Sequence, residues 1–120
     1  MRIFKVKSVA RFTRSERISD ASLAEAVERA GRGLVDADLG GGLIKQRVAR
    51  AGQGARGGYR MMVGFRMNER AVFVFGFAKN DVGNIDDKRL ATLREAATIW
   101  LASSEEIIDL SVEAGLLFEV

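Results

Sequence analysis

Residues 59 to 78 constrain the fold of this chain more than any other segment. Tyr59, Met61, Val63, Phe65 and Met67 alternate with Arg60, Met62, Gly64 and Arg66, and a period of two is the signature of a strand. Asn68-Glu69 can turn the chain into the stretch from Arg70 to Ala78, apolar from Ala71 onward. That run reads as a central strand buried on both faces. Two long strands joined by a short turn pair antiparallel, so the chain cannot be all-helical, and whatever else it forms must cover them.

The remaining elements follow from periodicity and caps. Phe4 and Val6, alternating with Lys5 and Lys7, predict a short half-buried strand. Ser8 opens a helical stretch with Val9 and Phe12 three apart. Leu23, Val27, Ala30 and Leu34 mark one face of a second helix. Ser19 is its N-cap, Ile18 and Leu23 have hydrophobic-staple spacing, and Gly31 or Gly33 stops it. Residues 36–42 (DADLGGG) read as a loop by composition. From Leu43 to Ala49 the pattern is a strand with Lys45 and Arg47 on one face and Ile44, Gln46 and Val48 on the other. Residues 50–58 (RAGQGARGG) hold four glycines and nothing apolar larger than Ala, a connection rather than a core element. Asp86 or Asp87 caps a third helix carrying Leu90, Leu93, Ala97 and Trp100. Ser103 and Glu106 have capping-box spacing for a fourth, with Ile107, Ile108 and Leu110, ended by Gly115. The expected order is β-α-α-β-β-β-α-α. That is a compact single α+β domain over residues 1–120, with an antiparallel sheet and helices packed mainly on one face.

Composition narrows the chemistry. The 120 residues include no Cys, no His and no Pro. Thiolate nucleophiles, disulfides, zinc–thiolate sites and imidazole-based triads are therefore excluded, and no acidic cluster has calcium-loop spacing. No metal and no cofactor is expected. The longest apolar run is eight residues, too short to span a bilayer, and the first residues lack the apolar core of a secretory signal. A cytoplasmic protein without membrane contact is the expectation. Net charge is +3, with 14 of the 19 basic residues Arg, the side chain suited to bidentate phosphate contacts. Residues 1–60 hold 13 Lys/Arg against 6 Asp/Glu, whereas residues 61–120 hold 6 against 10. A basic front half points to a polyanion.

Among motifs, Gly52-x-Gly54-x-x-Gly57 matches a nucleotide-binding glycine pattern, but a strand and not a helix follows it, which favours a loop between two strands over the dinucleotide reading. With Arg50 and Arg56 among the glycines, the same loop can wrap a phosphate backbone. The informative set is Lys45, Arg47 and Arg60. If their strands are neighbours with coincident basic faces, three cations crowd one surface, and Lys79, leaving the last strand, is a fourth. Such a face is either solvated or occupied by an anion. Tyr59 falls on the opposite face from Arg60 and reads as core. Trp100 reads as core too, as do Phe73, Phe75 and Phe77, which alternate on one side of their strand.

These motifs carry a resemblance. Residues 36–49 (DADLGGGLIKQRVA), then Gly57-Gly-Tyr-Arg60, then Val74-Phe-Gly-Phe-Ala-Lys-Asn80 are similar to the RelE/HigB-type toxins of bacterial type II toxin–antitoxin systems. The resemblance runs from about residue 3 to the end of the chain. It implies a RelE-like fold and an mRNA endoribonuclease, acting in many members at the ribosome, in which a ribose 2′-OH attacks the adjacent phosphate and releases a 5′-OH fragment. No metal or covalent enzyme intermediate is needed in such chemistry. By position, the resemblance makes Lys45, Arg47, Arg60 and Lys79 the catalytic cations, and Arg50, Arg56 and Asn80 join them as RNA-binding residues. Asn80 stands where the best-studied members carry Arg, and residues 81–88 offer no Tyr or His, so the general acid and base are unassigned. The implied partners are mRNA, the ribosome and a cognate antitoxin of helix-turn-helix type. An acidic antitoxin segment over the basic face, or a filled apolar groove by the C-terminal helices, would each serve. The related ParE-type toxins share the fold but inhibit gyrase by protein contacts, and an inactive basic interaction domain is the third reading.

Overall fold

The computed structural model describes residues 1–49, 58–78 and 85–120. In chain order the elements are β1 (Arg2–Val6), α1 (Lys7–Glu16), α2 (Asp20–Gly31), β2 (Ala37–Gly40) and β3 (Leu43–Val48), followed by β4 (Tyr59–Arg66), β5 (Arg70–Ala78), α3 (Asp87–Ala102), α4 (Glu105–Glu113) and β6 (Leu117–Glu119). The strands form one six-stranded sheet in the order β2-β3-β4-β5-β1-β6. Its pairings are antiparallel except for β1 against β5, which run parallel. The expected α+β class and the β3-β4-β5 meander are present. Asn68, at φ 64°, makes the β4–β5 turn.

Two strands depart from the sequence reading. The glycine-rich run expected to be a loop contains β2, which pairs with β3 through a tight turn whose Gly40, Gly41 and Gly42 all have positive φ. L-residues with side chains rarely adopt that conformation. Space explains the rest, because a Cβ on Gly41 would meet the Arg94 side chain at 2.6 Å and one on Gly42 would meet Leu101 at 2.7 Å. Arg94 Nε and Thr98 Oγ1 donate to the carbonyls of Leu39 and Gly41, at 2.9 and 3.1 Å. The DLGGG motif is thus a hairpin tip pinned under α3. The other addition is β6, which pairs with β1.

The helices cover both faces of the sheet, not mainly one. Val9 of α1 and Leu23, Ala26, Val27 and Ala30 of α2 pack with Ile44, Val48, Met61, Val63 and Phe73. On the other side Leu93 and Ala97 of α3 and Ile108 of α4 pack with Leu43, Met62, Val72 and Val74. Sheet faces alternate strictly along a strand, so a second apolar set on β3–β5 demands a second helical layer. Phe73, Phe75 and Phe77 do not share a side either. A bulge opposite Met62/Val63 inserts one residue into β5, so Phe73 lies with α1 and α2 while Phe75 and Phe77 turn to the α3 face.

The caps are local. Ser19 accepts from the Ser22 N–H and Asp86 from the Arg89 N–H. Gly33, at φ 82°, stops α2, and Leu34 lies beyond the helix and is exposed. The cap of α4 is Ser104, accepting from Ile107, rather than Ser103. Ile107 and Leu110 are exposed and only Ile108 is fully buried. Trp100 is half-buried against the α3-side core.

Arg2 ties the closing strands together. Its guanidinium binds Glu119 through two nitrogens (2.9 and 3.0 Å) and reaches Glu105 and Asp109 at 2.7 and 2.9 Å. These bonds, that to Glu119 foremost, raise the Arg2 pKa beyond its already high value. In return the Arg2 bond holds Glu119 below the ordinary carboxylate range, and bonds from Arg70 and then Arg2 hold Glu105 there too. A depressed folded-state pKa stabilises above the unfolded value, near 4.5, and that stabilisation is lost as pH falls through the folded values. The thermal midpoint is therefore expected to fall as the pH is taken below about 4.5. Arg2→Gln should flatten that part of the profile, as scanning calorimetry across the range will read.

Candidate functional site

The three cations in β3 and β4 share one face. Arg47 stands directly across from Arg60, and Lys45 across from Met62. On its other side Arg60 faces Phe77, and Met62 faces Phe75. This is the α3 side of the sheet, and it opens along the strands: Leu43 is buried, Lys45 is half-buried and Arg47 is exposed. Opposed positions in antiparallel strands place Cβ atoms about 5 Å apart, where like charges repel. The fold tolerates two guanidinium groups at that spacing.

Their electrostatic states differ. Arg47 is not the free cation expected from sequence, because Asp36 lies 3.4 Å from its Nε and also accepts its backbone N–H at 2.7 Å. Asp36 is held in turn by Arg29, whose Nη2 donates to the Arg47 carbonyl. Lys45 and Arg60 have no carboxylate partner among the described residues. Arg60 Nη1 is buried without any hydrogen-bond partner there. A buried donor left unsatisfied costs about 1–3 kcal/mol, and beside an open basic face it is a position where an arriving anion could bond; Arg70 Nε, at the start of β5, is likewise buried without a partner among the described residues. Beside Arg60, Phe75 and Phe77 lie 6.0 Å apart, both half-buried, and the Arg89 guanidinium sits 4.7 Å over the Phe75 ring.

Two residues that sequence reasoning passed over set this geometry. Gln46, on the reverse face of β3, is 1% exposed. It donates to the carbonyls of Ala26 and Leu34 and accepts from the Asp36 N–H. It thereby latches β3 to the end of α2 and positions Asp36 against Arg47. The signal in sequence was a lone polar residue on an otherwise apolar strand face. Gly58 is the second: a Cβ there would collide with the Val48 carbonyl, so only glycine lets β4 begin flush against the end of β3. Tyr59 is buried as expected and donates to Glu16 while meeting Phe12 edge-on at 5.6 Å.

Lys79, Asn80, Arg50 and Arg56, and the glycines of the Gly52–Gly57 motif, lie outside the described residues. Among the described residues no three Asp or Glu side chains gather as a metal site would require, and no helix is long and apolar enough to cross a membrane. Near the C-terminal strand Leu116 and Phe118 are exposed while Leu117 is buried.

A small α+β domain that presents Lys and Arg, one of them with a buried donor unsatisfied among the described residues, on an open sheet face has the chemistry to receive an anion. The family model described as the RelE toxin of the RelE/RelB toxin–antitoxin system matches residues 1–120. The chain belongs to that toxin family, and a cognate antitoxin is its implied partner. No curated protein matches the chain.

Proposed function

We propose that this toxin is an mRNA endoribonuclease, working on ribosome-engaged message, and that Lys45, Arg47 and Arg60 are the described part of its active site. The observation that carries the proposal is the buried, unpartnered Nη1 of Arg60, set between Arg47 and Phe77. A guanidinium nitrogen left without a partner among the described residues is placed to bond phosphate oxygens that arrive with substrate. In the reaction the 2′-oxygen forms a bond to the adjacent phosphorus as its proton leaves. The P–O5′ bond then breaks, and the 5′-oxygen takes up a proton. Negative charge accumulates on the non-bridging oxygens, where Arg60 and Arg47 stabilise it. Lys45 is the third charge and a proton carrier in reach of the same face. Phe75 and Phe77 support stacking of a neighbouring base. Asp36 orients Arg47 and is a positioning residue.

Purified toxin should cleave mRNA in a translating extract and leave gyrase supercoiling unchanged. Lys45→Ala should lose about 10²-fold in cleavage. A Lys45→Ala protein that cuts RNA and arrests growth like its parent would remove this site, and gyrase inhibition without cleavage would replace the reading with the ParE-type one.

A further inference from the structure

The described cations without an ion-pair partner do not all lie in the sheet site. Besides Lys45 and Arg60, the separate Arg32 and Lys88, Arg89 over the Phe75 ring and Arg94 on the Leu39 carbonyl, they comprise Lys7, Arg11, Arg14 and Arg17; these four are exposed and lie on or at the end of α1. At 100° per residue, Lys7, Arg11 and Arg14 fall within a sector of about 60° and span about 10 Å of helix. Arg17 extends the line as the C-cap, at φ 57°. Ser8 and Ser15 are the exposed residues beside the stripe.

Helix stability does not account for this face. Arg14 and Arg17 suit the negative end of the helix, but Lys7 sits in the first turn, where a cation opposes the macrodipole. The first turn has no acidic residue. The only carboxylate on α1, Glu16, accepts a bond from Tyr59. Several cations elsewhere in the fold are answered by carboxylates: Arg2 by three, Lys5 by Asp20, Arg29 by Glu25 and Arg66 by Glu69.

The chemistry of the stripe selects its occupant. Protein interfaces gain affinity from buried aromatic or aliphatic anchors, and the outer face of α1 has none. The helix face itself carries no exposed ring on which an unpaired base could stack, in contrast to Phe75 and Phe77 by the sheet site, although Phe118 of β6 shares a surface depression with Arg14 at one end of the stripe. Charges and hydroxyls alone suit the phosphate backbone of a paired strand, where bases are turned away. We infer that the α1 face is a second, sequence-independent docking surface for the backbone of duplex RNA, separate from the cation site across the sheet. The choice of RNA over DNA rests on the proposed endoribonuclease function; docking to phosphates does not. Such a surface would hold the toxin against a folded RNA while the sheet face engages an extended strand.

Fluorescence anisotropy with a blunt RNA duplex of about 20 base pairs tests this. The variant carrying Lys7→Gln, Arg11→Gln and Arg14→Gln should bind at least about tenfold more weakly at about 0.1 M salt, and the slope of log affinity on log salt should drop by about 2. Gln keeps good helix propensity, and circular dichroism checks the fold. Arg60→Gln, assayed beside it, should retain duplex binding. Parental duplex affinity in the triple variant overturns the inference, as does a parent that binds no duplex. So does loss of antitoxin binding alone, which would make the stripe a protein interface. Tighter binding of the same duplex as DNA overturns the choice of RNA. A parent that binds duplex RNA but cuts no message in a translating extract removes the cleavage proposal and leaves this surface standing.

Discussion

Arg60→Gln is expected to lower RNA cleavage by about 10²- to 10³-fold while leaving the folded protein at least as stable as its parent. The two halves of the expectation share one cause. Among the described residues Nη1 of Arg60 is buried without a partner, an unsatisfied donor on a side chain opposite a second guanidinium. Removing the charge relieves both the desolvation cost and the repulsion, each of which disfavours the folded state. The same charge, set against a phosphate that turns dianionic in the transition state, is worth several kcal/mol to the reaction, typically about 3 for one preorganised donor. Single-turnover cleavage and thermal unfolding of one purified variant read both quantities. A variant that loses activity and stability together would mean that Arg60 is structural and the phosphate site lies elsewhere.

The opposite signature is expected at Arg70, where Arg70→Met should cost about 3 kcal/mol of stability and lower the thermal midpoint by roughly 10 °C. Arg70 is 6% exposed at the start of β5. Its Nη1 donates to the carbonyls of Trp100 and Ser103 at 2.8 and 2.7 Å, and its Nη2 to Glu105 at 2.6 Å. Those carbonyls belong to the C-terminal end of α3, whose last turn holds no basic residue of its own. Arg70 therefore supplies from a neighbouring strand the cation that a helix end favours, and joins α3 to α4 in doing so. Met fills most of the volume but leaves the carbonyls of the turn unpaired. Arg70→Lys should recover little, since one ammonium cannot reproduce the fork. A Met variant that melts with the parent would show that the turn holds without this clamp.

Much of the fold was legible because local rules and tertiary structure agree. The alternation in β4, the caps Ser19 and Asp86 and the stop at Gly33 each state a local preference that packing leaves unopposed. The sequence reading failed where a distant partner decides. Residues 37–40 look like loop until β3 lies beside them and α3 covers the three glycines. Phe75 and Phe77 changed faces because of one inserted residue, which no pattern of alternation announces. In the site, the shared face of Lys45, Arg47 and Arg60 was readable once β3 and β4 were taken as neighbours. The neutralisation of Arg47 by Asp36 was not, because it depends on how the segment after α2 returns past Gln46. The α1 stripe was visible as letters but acquires meaning only when its cations are seen to share one exposed helix face without an ion-pair partner among the described residues.

The placement of β1 has a consequence for the order in which the molecule can assemble. It is made first, yet it lies between β5, to which it pairs in parallel, and β6. The cation-bearing hairpins need only near neighbours and can pair as they emerge. The strand that seals the sheet must wait for partners about seventy and more than one hundred residues downstream, the slow kind of closure. Until β6 arrives, Phe4 lacks its antiparallel neighbour and Arg2 lacks Glu119. A chain under synthesis thus carries the residues of its working face well before it has a finished sheet to hold them.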